Sequence, residues 1–349
     1  MDLRQYLVED TVSVSAAVRA IDEGKKKVVF CLRKGRLSGC FTDGDMRRYI
    51  LRDGDMGKPV FQAMNPTPIA FSALQEEKAL AFMRKNLVVA VPIVNEDREV
   101  VKIYFRDELD SGGVVRSLPE PIPLVVMAGG KGTRLYPFTK VLPKPLIPIG
   151  ETPILDRIIG RFGQCGVEDV YLVLNHKRNM IKAYYSETRL PCRVHFVDEE
   201  RPLGTGGGLA LLRGEIGTTF FLSNCDCLLD MDYLCMYEYH RSHKNAMTMV
   251  VAAKNLGLPY GVVELDRQGN LQTIREKPEY SFLANTGIYV MEPEVMDFIE
   301  RDEHIDVPEL AKRLMTAGRR VGGYPITEKS WLDMGQFSEM KTMMKELGI

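Results

Sequence analysis

The run Val125-Val126-Met127-Ala128-Gly129-Gly130-Lys131-Gly132-Thr133-Arg134-Leu135 constrains this chain more than any other segment. Its apolar start reads as a buried strand that passes straight into three glycines. Glycines permit positive φ and close backbone approach, so successive N–H groups can form a nest around a phosphate chain. Residues 121–150 hold no acid and four cations, Lys131, Arg134, Lys140 and Lys144. The whole chain has 46 Lys+Arg against 47 Asp+Glu, a net charge of −1, so this local excess marks an anion site. Two other phosphate loops are excluded. A Walker A loop needs Ser or Thr after Gly-Lys, and Lys131 precedes Gly132; in G-x-G-x-x-G the third glycine falls on Leu135. The run Gly204-Thr205-Gly206-Gly207-Gly208-Leu209 fails the same spacing.

Downstream, strand-like runs at 124–128, 170–174, 194–197, 220–223, 247–252, 287–290 and 321–324 alternate with helical stretches at 153–165, 178–186, 208–213, 233–243 and 307–316. This alternation predicts an α/β domain with a mainly parallel sheet, whose chemistry sits beyond the carboxyl ends of the strands. At 349 residues, 45% hydrophobic and 27% charged, the chain is globular and long enough for more than one domain. No basic domain exists to grip nucleic acid, and no apolar run approaches the ~18–20 residues that span a membrane. Seven scattered cysteines without Cys-x-x-Cys, and an N-terminus without a signal-peptide pattern, read as a cytoplasmic protein with reduced thiols.

The Gly/Pro-rich stretch from Asp110-Ser111-Gly112-Gly113 to Pro123 predicts a linker at 114–121, dividing a piece of residues 1–113 from a domain at 122–349. The first piece repeats helix–strand–turn–strand–helix at about 55 residues, over 8–58 and 63–113. In the first repeat, Thr42 and Asp45 fit two readings: a ribose contact beside a helix N-terminus that faces phosphate, or a plain helix cap. The second repeat has Tyr104 where the Thr falls. These features resemble a CBS domain pair. The resemblance implies an adenine or other nucleotide as ligand, or a dimerisation surface, and hence at least a homodimer.

Two carboxylates follow apolar strands: Asp226 after Phe220-Phe221-Leu222-Ser223-Asn224-Cys225, and Asp333 after Trp331-Leu332. Asp230-Met231-Asp232 resembles the metal motif of glycosyltransferases but reads better as a helix start, with Asp230 as N-cap and Asp232 favouring the dipole. His240 and His243 read as exposed helix residues.

The string from Gly129 to Pro137 with Pro143-Lys144-Pro145-Leu146-Ile147-Pro148 is similar to the signature of sugar-1-phosphate nucleotidylyltransferases. The likeness continues through Leu203-Gly204-Thr205-Gly206-Gly207, Asn224-Cys225-Asp226, Tyr260-Gly261-Val262-Val263, Glu276-Lys277-Pro278, Asn285-Thr286-Gly287 and Trp331-Leu332-Asp333. It implies a three-layer α/β/α, Rossmann-like nucleotidyltransferase domain that makes a nucleotide sugar and pyrophosphate. Ala128, Gly129, Gly130, Lys131, Gly132 and Thr133 would hold the triphosphate with Arg134, and Gly204 and Thr205 would read the base. Lys144 would neutralise the α-phosphate, while Asp226 and Asp333 would hold Mg²⁺. Tyr260, Gly261, Glu276, Lys277 and Asn285 would face the sugar phosphate. Cys225 departs from the family's usual glycine. Fusion to a CBS pair resembles guanylyltransferases of bacterial surface-sugar pathways, in particular those making GDP-glucosamine for legionaminic acid. GTP with glucosamine 1-phosphate is the implied substrate pair, and mannose 1-phosphate the next.

Overall fold

The computed structural model describes residues 3–52, 54–86, 88–105 and 118–348. Chain contacts separate two compact units. The first takes in Met1–Val114, Ala252–Ala284 and Pro325–Glu328, the second Val115–Val251, Asn285–Tyr324 and Lys329–Ile349.

The N-terminal part of the first unit is a structural duplication. Strands β1 (Leu7–Glu9), β2 (Val28–Arg33) and β3 (Arg36–Thr42) form one sheet, with helices α1 (Val14–Gly24) and α2 (Asp43–Ile50). Strands β4 (Phe71–Ser72), β5 (Ala90–Val94) and β6 (Val100–Phe105) form a second, with helix α3 (Glu76–Asn86). In both, the first pair is parallel, the second antiparallel, and the register shifts late in the central strand. β2 shows why a continuous apolar run was needed, since both its faces are covered. Val29 and Cys31 pack on α1 and α2 residues, whereas Val28 and Phe30 meet Ala90, Ile103 and Phe105 of the second repeat. The repeat offset is 62 residues, from α1 at Val14 to α3 at Glu76, and not about 55. The chain from Gly54 to Ala70, with one 3-10 turn at Val60–Gln62, accommodates the longer span. The closing helix expected of the second repeat and the boundary at Asp110–Gly113 lie outside the described residues.

The second unit is built on a seven-stranded sheet, of which β14 from Ala252, β17 up to Ala284 and β18 from Pro325 are counted with the first unit. Its strands are β7 (Leu124–Met127), β10 (Asp169–Leu174), β11 (Arg193–Asp198), β12 (Phe220–Asn224), β14 (Met247–Gly257), β17 (Glu279–Met291) and β18 (Val321–Thr327), ordered β11-β10-β7-β12-β17-β14-β18. β11, β10, β7 and β12 run parallel, and β17 is antiparallel to β12. The short pairs β8–β9 (Pro148–Ile149, Thr152–Pro153) and β13–β19 (Cys227–Leu229, Trp331–Asp333) are separate ladders, as is the hairpin β15–β16 (Val262–Leu265, Leu271–Arg275), which falls in the first unit. The longer helices of the second unit are α4 (Ile154–Gly163), α5 (Arg178–Glu187), α6 (Tyr233–His243), α7 (Val307–Thr316) and α8 (Phe337–Glu346).

Alternation along β12 decides which layer each side chain enters. Phe220 and Leu222 join the core that includes Leu310 and Leu314 of α7. Phe221 points the other way, 5.2 Å from Phe162 of α4, and Phe162 lies 4.4 Å from Tyr233 of α6. Phe221 is fully buried, so Phe221→Ala is expected to cost about 3–5 kcal/mol, read as a fall in the denaturant midpoint at unchanged slope. Among the described residues no helix is long and apolar enough to cross a membrane.

Candidate active site

β7 and β12 are neighbours in register, Asn224 opposite Met127, so both chains leave the sheet at the same end. A cleft of about 360 Å³ opens there, within the second unit. Gly129, Gly130, Gly132, Thr133, Arg134, Lys144, Gly204, Thr205 and Asp226 all line it, as do Glu199, Asn224, Cys225 and His304. Ala128 and Lys131 belong to the same loop but do not line the cleft; Ala128 is buried, with its N–H bonded to the Val173 carbonyl at 2.9 Å.

Gly132 has φ of 62°, and a Cβ there would fall 3.0 Å from Lys144 Cβ and 2.9 Å from Thr139 Cγ2. The glycine therefore lets the loop close onto the lysine. Lys144 in turn pairs with Asp226, and both side chains are largely buried, at 11% and 15% exposure. Burial opposes the lysine's charge, but neighbouring anions, Asp226 foremost, outweigh it and hold the pKa above the ordinary lysine value.

Two three-residue strands bring the second carboxylate in. Cys227 pairs with Asp333 across β13 and β19, and Met334 N–H donates to the Asp226 carbonyl at 2.8 Å. Asp333 is pushed up to about 6 by burial, then by the charges of Asp226 and Glu339. Glu339 adds a buried oxygen, Oε2, with no hydrogen-bond partner. A Cβ on Gly335 would lie 3.0 Å from both that oxygen and Asp333 Oδ2. This local surplus of carboxylate suits a divalent cation. Among the described residues no cluster of three or more side chains can hold a metal alone. Mg²⁺ commonly uses one or two carboxylates and takes its other oxygens from water and substrate phosphates, so Asp226 and Asp333 fit it. Asp333 is a strand residue; the cap position of α8 belongs to Gln336.

Glu199 carried no prior signal, since the run Asp198-Glu199-Glu200 looks solvated. The carboxylate is 4% exposed, lines the cleft beside the Gly204–Thr205 loop, and leaves Oε1 unpartnered. Burial pushes it up to about 7, although the Leu203 N–H opposes the shift. A raised folded-state pKa contributes stability that is complete below the ordinary 4.5 and lost as pH rises through about 7. Glu199→Gln is therefore expected to raise Tm at pH 8 and to change it little at pH 4.5, as thermal melts at both pH values would show.

The Gly204–Thr205 loop is held by a second unforeseen residue. Asp306 Oδ1 accepts from Thr205 N–H at 2.9 Å and from its hydroxyl at 3.0 Å. Asn175 and His176 brace the glycine loop from behind: the Asn175 amide donates to the Glu199 carbonyl, and His176 N–H to the Gly129 carbonyl. Cys225 is buried, and burial foremost pushes its thiol up to about 12. Asn285 is in the second unit, its amide donating to the Tyr289 hydroxyl at 2.7 Å. Tyr260, Gly261, Glu276 and Lys277 fall in the first unit, flanking the β15–β16 hairpin. There Tyr260 is 74% exposed, Lys277 has φ of 44°, and Gly261 lies against Glu276.

Three sequence readings are corrected. The cap of α6 is Asp232, whose Oδ1 accepts from Leu234 and Cys235 N–H, while Asp230 faces Arg161 at 3.7 Å. That commits Asp232 to the helix start rather than to a metal motif. His240 is fully buried, not exposed, bonding Thr248 and Glu292. The stretch 208–213 is 3-10 rather than α-helical, over Gly207–Leu212.

The nucleotidyl transferase family model matches residues 124–348. The chain belongs to the nucleotidyl transferase family. It is similar to the mannose-1-phosphate guanylyltransferase of Mycobacterium tuberculosis, 32% identical over 220 residues, which are 61% of each chain. The mannose-1-phosphate guanylyltransferase catalytic subunit beta of Xenopus tropicalis is 32% identical over 232 residues, 63% of each chain. A UTP–glucose-1-phosphate uridylyltransferase of Synechocystis is 29% identical over 61% of this chain. The chain thus spans about three-fifths of the length of these relatives. Among solved structures, HddC from Yersinia pseudotuberculosis superposes with a TM-score of 0.50 at 22% identity, covering 65% of this chain and 99% of that one. A UDP-glucose pyrophosphorylase complexed with UDP-glucose gives 0.51 at 17% identity, over 66% and 99%. These two likenesses bear on fold. The nucleotidyl transferase has a Rossmann-like α/β fold around a mostly parallel sheet.

Proposed function

We propose that this nucleotidyl transferase condenses a nucleoside triphosphate with a sugar 1-phosphate, forming a nucleotide sugar and pyrophosphate, with GTP and glucosamine 1-phosphate as its pair. The observation that carries the reaction is the convergence of the glycine loop, Lys144 and Asp226 on one cleft. In-line transfer at phosphorus needs positioning and charge neutralisation more than covalent help. In this reading the Gly129–Thr133 backbone and Arg134 hold the triphosphate, with Ala128 and Lys131 setting the loop. Lys144, held charged, offsets the α-phosphate against the incoming sugar phosphate. Asp226 and Asp333 hold Mg²⁺, which when bound neutralises phosphate charge and polarises the α-phosphoryl group. Asn285, in the same unit as the cleft, is assigned to the sugar side.

GTP is favoured by Glu199. Guanine alone presents two adjacent donors, N1–H and the 2-amino group, on its pairing edge, and a carboxylate accepts both. An unpartnered buried oxygen in the cleft suits that edge. The guanylyltransferase names of several relatives point the same way. We read the duplicated N-terminal part as a CBS pair that makes the chain at least a dimer. Its repeated strand directions support this. As an adenine-nucleotide site it must recruit Thr42 and Asp45 from a reciprocal cap, in which Asp45 Oδ2 accepts from Thr42 N–H and hydroxyl while Oδ1 pairs with Arg48.

The test is a matrix of GTP, UTP, dTTP and CTP against glucosamine, mannose and glucose 1-phosphates, scored by pyrophosphate. GTP with glucosamine 1-phosphate should give the highest kcat/KM. A preference for UTP or dTTP would overturn the base assignment, and a preference for mannose 1-phosphate the sugar assignment.

A further inference from the structure

The corrected placement of His240 leads to a second cavity, of about 800 Å³, at the other end of the second unit's sheet. β12 starts at Phe220, which pairs with Met291, the last residue of β17, so Glu292 lies at the end of the sheet away from Asp226. Arg241, Lys244, Arg319 and Arg320 line the cavity, against two acids, Glu292 and Glu294. Arg241 pairs with Glu292 at 3.3 Å and Arg319 with Glu294 at 2.8 Å. Lys244 and Arg320 make no ion pair among the described residues. The ends of α6 and α7 approach here and add roughly half a negative charge each, which leaves the site about one charge positive.

Beneath the rim lies a buried polar network with one unmet bond. His240 Nε2 lies 3.2 Å from Glu292 Oε1, and as the donor there it leaves Nδ1 to accept from the Thr248 hydroxyl at 2.8 Å. That hydroxyl, its proton committed, accepts from Asn245 Nδ2 at 2.9 Å. With the amide in this orientation, Asn245 Oδ1 is the oxygen left over. Asn245 is 2% exposed, lines the cavity, and this oxygen has no partner. A buried acceptor left unpaired costs free energy, which a ligand donor recovers. Unpaired cations at the rim and an unmet acceptor at the floor together describe an anion that carries hydroxyl groups.

We propose that this cavity binds a phosphate ester with free hydroxyls, either a sugar phosphate or a nucleotide sugar, at a site separate from the nucleotide cleft. Isothermal titration of the full chain with glucosamine 6-phosphate and with GDP-mannose distinguishes the two sources, the first lacking the 1-phosphate the reaction uses. Lys244→Gln/Arg320→Gln removes both unpaired charges, spares the buried network and leaves the transferase residues intact. The expected result is that one probe fills a site in the parent chain that weakens at least about tenfold in the double variant, with Tm and basal pyrophosphate release unchanged. Loss with glucosamine 6-phosphate identifies a sugar phosphate; loss of a second equivalent of GDP-mannose identifies a nucleotide sugar. Parental binding of both probes by the double variant, or no site beyond the nucleotide cleft, would overturn the proposal.

Discussion

Asp226→Asn is expected to lower pyrophosphate release about 10²–10³-fold, the scale seen when one preorganised charge-stabilising group is removed from an active site. The substitution acts twice. It removes a candidate metal carboxylate, and it deprives Lys144 of its partner in a place where both side chains are largely buried. Lys144→Ala should cost a comparable factor, because nothing else in the cleft pairs the Asp226 charge so closely. Either change leaves a lone charge, a stability cost on the order of 3 kcal/mol for a buried pair, so rates need to be read beside thermal melts. The two effects should be strongly non-additive, the double variant losing little more than the worse single one. Near-parental rates in either variant would remove that residue from the mechanism.

Glu199→Gln should invert base selectivity. Glutamine offers one acceptor and one donor group, which suits the N3–H and carbonyl edge of uracil and opposes guanine's paired donors. A bidentate contact to a base is worth about 1–3 kcal/mol, so kcat/KM for GTP should fall roughly 10–100-fold while that for UTP rises. The pH dependence has a defined sign. The carboxyl, pushed up to about 7 by burial, accepts both guanine protons only when ionised, so KM for GTP should fall as pH rises through 7. Glu199→Gln should abolish that slope. An unchanged GTP-to-UTP ratio would show that the base is read elsewhere.

The sheet was legible because its strands are short apolar runs with nothing else to do. Leu124–Met127 is buried at every position, and the passage from strand to glycines placed the glycine loop at the strand's carboxyl end. Lys144 and Asp226 were legible for the same reason, each following a recognisable turn or strand. What escaped was whatever depends on long-range packing. β13 and β19 are three residues each and about a hundred positions apart, so no local pattern announces the ladder that sets Asp333 beside Asp226. Glu199 sits among other acids, and only the close packing of Gly129 and Gly208 against it reveals a buried carboxylate. His240 shares a helix face with Tyr233, Met236 and Tyr237, so its spacing did mark the buried side, and Thr248 and Glu292 supply the partners that allow full burial.

The central claim is that this cleft breaks the bond between the α- and β-phosphates of a triphosphate. Incubation with GTP labelled at the α-phosphorus and a sugar 1-phosphate tests it directly. The label should appear in a nucleotide sugar, and one pyrophosphate should be released per molecule formed. Label recovered in GDP, with inorganic phosphate in place of pyrophosphate, would contradict the account.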